Sequence, residues 1–129
     1  MTECTKYGTT FIKVAKLKKI TAVFFATEAG AEPVRDWLKG LSKADRARIG
    51  GDICTVELGW PLGMPVCRPL GSGLYEVRTT LNDRIARVLF GIEGDDMLLL
   101  HGFIKKSQKT PKDDLAMARN RLKKYRSRN

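Results

Sequence analysis

The residues from Ile20 to Ala26 read ITAVFFA, a β-branched and aromatic run bounded by polar residues, and they predict a strand. At Glu32-Pro33 the period changes. Proline suits a first helical turn, Val34, Trp37, Leu38 and Leu41 follow at helical spacing, and Gly40 supplies the stop. Ser42 with Asp45 three residues on has the form of an N-cap, and it opens a second helix through Ala47, Ile49, Ile53, Val56 and Leu58. Gly50-Gly51 weakens the middle of that helix, Gly59-Trp60-Pro61 ends it, and Pro61 to Pro65 is expected to be a loop.

The second half of the chain alternates differently. Short apolar runs at Val66 to Leu70, Leu74 to Leu81, Arg84 to Ile92 and Met97 to Ile104 are separated by Gly71-Ser72-Gly73, Asn82-Asp83 and Glu93-Gly94-Asp95-Asp96, the pattern of an antiparallel meander. Thr110, Pro111 and Asp113 then mark a helix start, and Leu115, Ala118, Leu122 and Tyr125 line one face of that helix. The order β-α-α-β-β-β-β-α predicts one α+β domain, with the early helices on one face of the sheet and the other face partly open. Residues 1–18 show no clear period and are read as a loose leader, leaving residues 19–129 as the single domain.

The meander fixes a register. A two-residue turn at Asn82-Asp83 places Arg78 opposite Arg87 and Glu76 opposite Leu89 on one face, with Tyr75, Val77, Val88 and Phe90 on the core side. Two arginines directly opposite each other repel unless an anion joins them, and either Glu76 or a bound phosphate fits that role. A four-residue loop at the next hairpin sets Gly102 beside Arg87, leaving room for a substrate backbone, and sends His101 to the core side; a bulge would reverse the placement of His101. On this register, replacing Arg87 with alanine is expected to abolish activity without opening a core cavity.

Charge sharpens the picture. The net charge is +10, and it is concentrated at the ends: residues 105–129 hold ten Lys and Arg against Asp113 and Asp114, and residues 1–19 hold five Lys against Glu3. Such a balance points to a polyanionic partner, nucleic acid before an anionic membrane. Cys4, Cys54 and Cys67 show neither a disulfide framework nor metal-ligand spacing, which fits a reducing cytoplasm and no metal site. Lys16 to Ala31 has the order of an export segment, but its apolar run is short and contains Thr21, and no stretch approaches the roughly 20 residues that span a bilayer.

The runs Leu74-Tyr75-Glu76-Val77-Arg78, Ala86-Arg87-Val88-Leu89-Phe90 and His101-Gly102-Phe103-Ile104-Lys105-Lys106-Ser107-Gln108-Lys109-Thr110-Pro111 together resemble the phage-derived, HigB-like branch of the RelE/ParE toxin superfamily. The segment F-x-K-K-x-x-K-T-P is the most specific part, and the likeness extends from about Ile20 to Tyr125. It implies two N-terminal helices packed on a twisted antiparallel sheet of four to five strands with a C-terminal helix. It also implies a toxin of a type II toxin–antitoxin system that cleaves messenger RNA in the ribosome and is silenced by an antitoxin carrying a helix-turn-helix domain; together with the cysteine usage, the reading is of a cytoplasmic protein that needs no cofactor. A non-nuclease gyrase inhibitor of the ParE kind shares that fold, and a basic nucleic-acid-binding module is a third reading.

The resemblance places the strand arginine of RelE-like toxins on Arg87 and their basic residues after the last strand on Lys105 and Lys106. This chain has Glu76 and Arg78 where RelE has lysines, and it has no evident counterpart of a C-terminal catalytic tyrosine, since Tyr125 lies on the apolar face. Metal-independent RNA cleavage needs a base for the attacking 2′-hydroxyl, an acid for the leaving oxygen and cations for the phosphorane. Arg87 and Arg78 suit the last role because a planar guanidinium matches two phosphate oxygens. Glu76 or His101 would be the base, and Arg68, Lys105, Lys106 and Lys109 are the candidates for holding RNA backbone.

Overall fold

In the computed structural model, residues 18–61, 67–105 and 111–128 are described, except for the side chain of Lys105. The leader and the loop at Pro61 to Pro65 lie largely outside these residues, as do Lys106 and Lys109. Strand β1 (Thr21–Phe24) is followed by helices α1 (Pro33–Lys39) and α2 (Lys43–Gly59), then strands β2 (Cys67–Gly71), β3 (Leu74–Thr80), β4 (Ile85–Glu93) and β5 (Asp96–Lys105), and helix α3 (Lys112–Arg128). Local chemistry sets the boundaries as the sequence indicates. Pro33 occupies the first turn of α1, and Ser42 Oγ accepts the Asp45 N–H at 3.1 Å to cap α2. Ser72 and Gly73 both hold positive φ (56° and 81°), the signature of a type I′ hairpin turn.

The five strands form one sheet in the order β1-β5-β4-β3-β2. β2 to β5 are the antiparallel meander, but β1 pairs parallel with β5, so the sheet is mixed rather than wholly antiparallel. The reason is the crossover: α1 and α2 lie between β1 and the meander and carry the chain back across one face.

Each face of the sheet has its own core. α1 and α2 cover one face through Val34, Leu38, Ile49, Ile53 and Val56, packed on Val77, Val88, Phe90 and Leu99. On the same side Trp60 meets Tyr75 and Phe90 edge-on, with centroids 4.8 and 5.7 Å away. α3 covers much of the opposite face, where Ala118 and Leu122 pack against Leu74, Leu89, Leu98 and Leu100, with Tyr125 at the margin as its place on the apolar stripe requires. The face expected to be partly open is therefore a second core.

Glu57 joins the layers. It is fully buried on α2, where its carboxylate accepts the Ala22 N–H at 2.7 Å and lies 3.3 Å from Lys18 Nζ, while its carbonyl accepts the Lys19 N–H at 2.8 Å. Burial raises its pKa above the usual carboxylate value despite these donors. Because the folded pKa is the higher one, the stabilisation linked to protonation is complete below the ordinary carboxylate range and is lost as pH rises through the raised value. The stability of the wild type relative to Glu57→Gln should therefore improve as pH is lowered from 7 toward 4.5, measured by denaturant midpoints; a difference independent of pH would contradict the linkage.

Cys67 is a free, buried thiol whose pKa is pushed up to about 11, chiefly by burial and secondarily by Glu76. Cys54 on α2 is disulfide-bonded, contrary to the expectation from cysteine spacing, and its partner lies outside the described residues. A single crosslink needs only proximity in the fold, which spacing along the chain does not report. Among the described residues no helix is long and apolar enough to cross a membrane.

Candidate functional site

The β3–β4 register is the one the two-residue turn dictates: Arg78 pairs with Arg87, Glu76 with Leu89 and Val77 with Val88. Glu76 stands between the two arginines. Its Oε2 lies 3.3 Å from Arg87 Nη1 and its Oε1 3.5 Å from Arg78 Nε, so one buried carboxylate offsets the repulsion of a cross-strand arginine pair. Arg68 on β2, half-buried, is the cross-strand neighbour of Glu76.

Burial separates the two arginines. Arg87 is 0% exposed, among the largest fully buried side chains, whereas the Arg78 side chain keeps 16% of its surface. The expectation that Arg87 projects from an open face without structural consequence is thus overturned. Its face is a second core, and Arg87 is held in it by Glu76.

The β4–β5 ladder departs from the simple count. From Glu93↔Asp96 to Phe90↔Leu99 it follows the four-residue loop, then shifts, so that Leu89 pairs with His101, Val88 with Gly102 and Arg87 with Phe103. Leu100 is the extra residue of this β-bulge. Leu98 and Leu100 point to the α3 side before the shift and Phe103 does so after it, which places His101 on that side too, the side of Glu76, Arg78 and Arg87.

Gly102 consequently faces the helices, away from the arginines. A Cβ there would overlap the Trp37 indole, so the glycine makes room for α1 rather than for a substrate backbone. Gly102→Ala is expected to cost about 1–3 kcal/mol of stability through overpacking, read as a lowered denaturant midpoint; an unchanged midpoint would mean that Trp37 moves aside freely.

His101 is tied to α3. Its Nε2 lies 2.7 Å from Asp114 Oδ1, and its Nδ1 lies 3.5 Å from Arg121 Nη1, which itself donates to the Leu100 carbonyl at 2.8 Å. Nε2 thus faces an acceptor and Nδ1 faces a donor. The ring stacks on Phe103 at 5.5 Å and is 20% exposed. Burial lowers the Arg121 pKa.

Asp114 and Arg121 were not among the residues expected from sequence. A signal for them exists, since both border the apolar stripe of α3, seven residues apart and therefore on one side of the helix. Lys105 ends β5 opposite Ile85, beyond Arg87 and Phe103 along the strand. Among the described residues no group of three or more His, Cys, Asp or Glu is placed to hold a metal ion.

These features define an α+β domain whose mixed sheet carries, on the face its last helix packs against, a carboxylate-bridged arginine pair and a carboxylate-oriented histidine. Residues 36–123, about two thirds of the chain, match the model of the phage-derived Gp49-like protein family (DUF891), and the chain belongs to that family. No curated protein matches it.

Proposed function

We propose that this chain is the toxin of a type II toxin–antitoxin pair, a ribosome-dependent endoribonuclease of the RelE/HigB kind. The observation that carries the reading is the arginine pair bridged by Glu76 on the sheet face that also receives His101, within a phage-derived Gp49-like domain. In this reading the 2′-hydroxyl of a messenger RNA residue attacks its own 3′-phosphate, forming a 2′,3′-cyclic phosphate and expelling the 5′-oxygen of the next nucleotide.

Arg78, the partly exposed guanidinium, meets the charge that grows on the phosphate. Glu76 and Arg87 are positioning residues that hold it in place. For proton transfer His101 fits better than Glu76, because Glu76 is buried between two guanidiniums, whereas His101 reaches solvent and has Asp114 to fix its ring. Arg68, Lys105, Lys106 and Lys109 hold RNA backbone, and a partner antitoxin with acidic residues covers the +10 surface when the toxin is silent.

Brief induction in cells, followed by labelled amino-acid and thymidine incorporation, tests this reading. Protein synthesis is expected to fall first. A ParE-like gyrase inhibitor would stop DNA synthesis first, and a chain that slows neither is not a toxin.

A further inference from the structure

From Arg119 to Arg128 the helix α3 carries six cations, Arg119, Arg121, Lys123, Lys124, Arg126 and Arg128, and no acid. They divide between two clefts, one on each flank of the helix. The cleft toward the loop after β1, about 460 Å³, takes Arg121, Lys124 and Arg128, with Asn120 at its wall and Glu28 as its one acid. The cleft toward the β2–β3 turn, about 240 Å³, takes Arg119, Lys123 and Arg126 beside Ser72.

Helix electrostatics accounts for cations in the last turn but not for the rest. Arg119–Lys123 and Lys124–Arg128 are like-charge pairs at i,i+4, each mildly destabilising for the helix alone. Three guanidiniums are fixed in place. Arg126 Nε lies 2.8 Å from Glu93, Arg128 donates to the Ala26 carbonyl at 2.7 Å and lies over the Phe25 ring, and Arg121 is held by Leu100. Arg119, Lys123 and Lys124 are exposed and make no ion pair among the described residues. Anchored cations beside exposed ones, in two rows on opposite flanks of the helix and roughly one helix diameter of 10–12 Å apart, suit an anion whose charges also run in two rows.

We propose that α3 docks along the minor groove of an A-form RNA duplex, with its two flanks against the phosphates of the two strands. The helix lies against the sheet, so only its outer half projects. That profile suits the wide, shallow A-form minor groove and not the B-DNA major groove, which is about 8.5 Å deep. This surface is separate from the arginine cluster and meets the candidate site only at Arg121, beside His101, and binding there does not require cleavage.

The test is fluorescence polarisation of the full chain with a blunt RNA duplex of about 16 base pairs, the length that a minor-groove RNA-binding domain spans, at several salt concentrations. Single-stranded RNA of the same length, B-DNA of the same sequence and poly-glutamate serve as comparison ligands. The variant Arg119→Ala/Lys123→Ala/Lys124→Ala is expected to melt like the wild type, to bind duplex RNA at least tenfold more weakly, and to lose about 2 from the magnitude of the salt slope, at roughly 0.7 to 0.9 per phosphate contact. If the triple variant misfolds, the single glutamine variants are read instead, each losing roughly 0.7 to 0.9. An unchanged affinity and slope would overturn the proposal. So would tighter binding of single strands, B-DNA or poly-glutamate than of the RNA duplex. A protein that binds the duplex but leaves transcripts intact would refute the nuclease reading and keep this one.

Discussion

Arg87→Ala is expected to destabilise the domain by about 3–5 kcal/mol, the range for removing one partner of a buried ion pair. The arginine is 0% exposed and its Nη1 lies 3.3 Å from the equally buried Glu76 Oε2, so truncation leaves a large cavity and takes from the Glu76 carboxylate one of the two guanidiniums beside it. Against a typical total of about 5–15 kcal/mol, much of the folded population would be lost at growth temperature, and with it, on the proposed function, toxicity. Denaturant unfolding of the purified variant measures the effect. A double replacement, Arg87→Met with Glu76→Leu, is expected to recover part of the loss, because two well-packed apolar side chains can replace a buried pair at little cost while the partly exposed Arg78 loses its carboxylate. A normal midpoint for Arg87→Ala would show that solvent reaches Glu76 and that the pair is not structural.

Arg78→Ala separates chemistry from folding. The Arg78 side chain is partly exposed and its contact to Glu76 is the longer one, so its loss should cost far less stability than that of Arg87. On the proposed mechanism it removes the cation facing the scissile phosphate, and cleavage is expected to fall on the order of a hundredfold to a thousandfold. Arg78→Lys should restore only part, since an ammonium cannot make the forked contact. Growth on induction, beside the melting temperature of each variant, reads both effects. A folded Arg78→Ala that still arrests growth would remove Arg78 from the mechanism.

These two arginines also show where sequence reasoning held and where it stopped. Their pairing followed from Asn82-Asp83 alone, because a two-residue turn leaves a single register. Their burial did not follow, since it depends on what α3 and the rest of the fold lay over that face. The helix starts at Pro33, a first-turn proline, and after the Ser42 cap were local and legible. The bulge at Leu100 was not: in Leu98-Leu99-Leu100 every residue is apolar, so either register buries leucine on both faces, and no alternation remains to reveal the slip that turns His101 toward the arginines. The parallel pairing of β1 with β5 joins segments some 75 residues apart through the crossover helices, beyond the reach of any local pattern. Asp114 and Arg121 became visible as partners only once α3 was docked on β5.

The most direct test of the proposed activity is primer extension on abundant transcripts from cells in the first minutes after induction, with the Arg78→Ala variant alongside. New 5′ ends within translated reading frames are expected for the wild type, absent from the variant and absent when translation initiation is blocked beforehand. Growth arrest with transcripts intact would contradict the nuclease assignment.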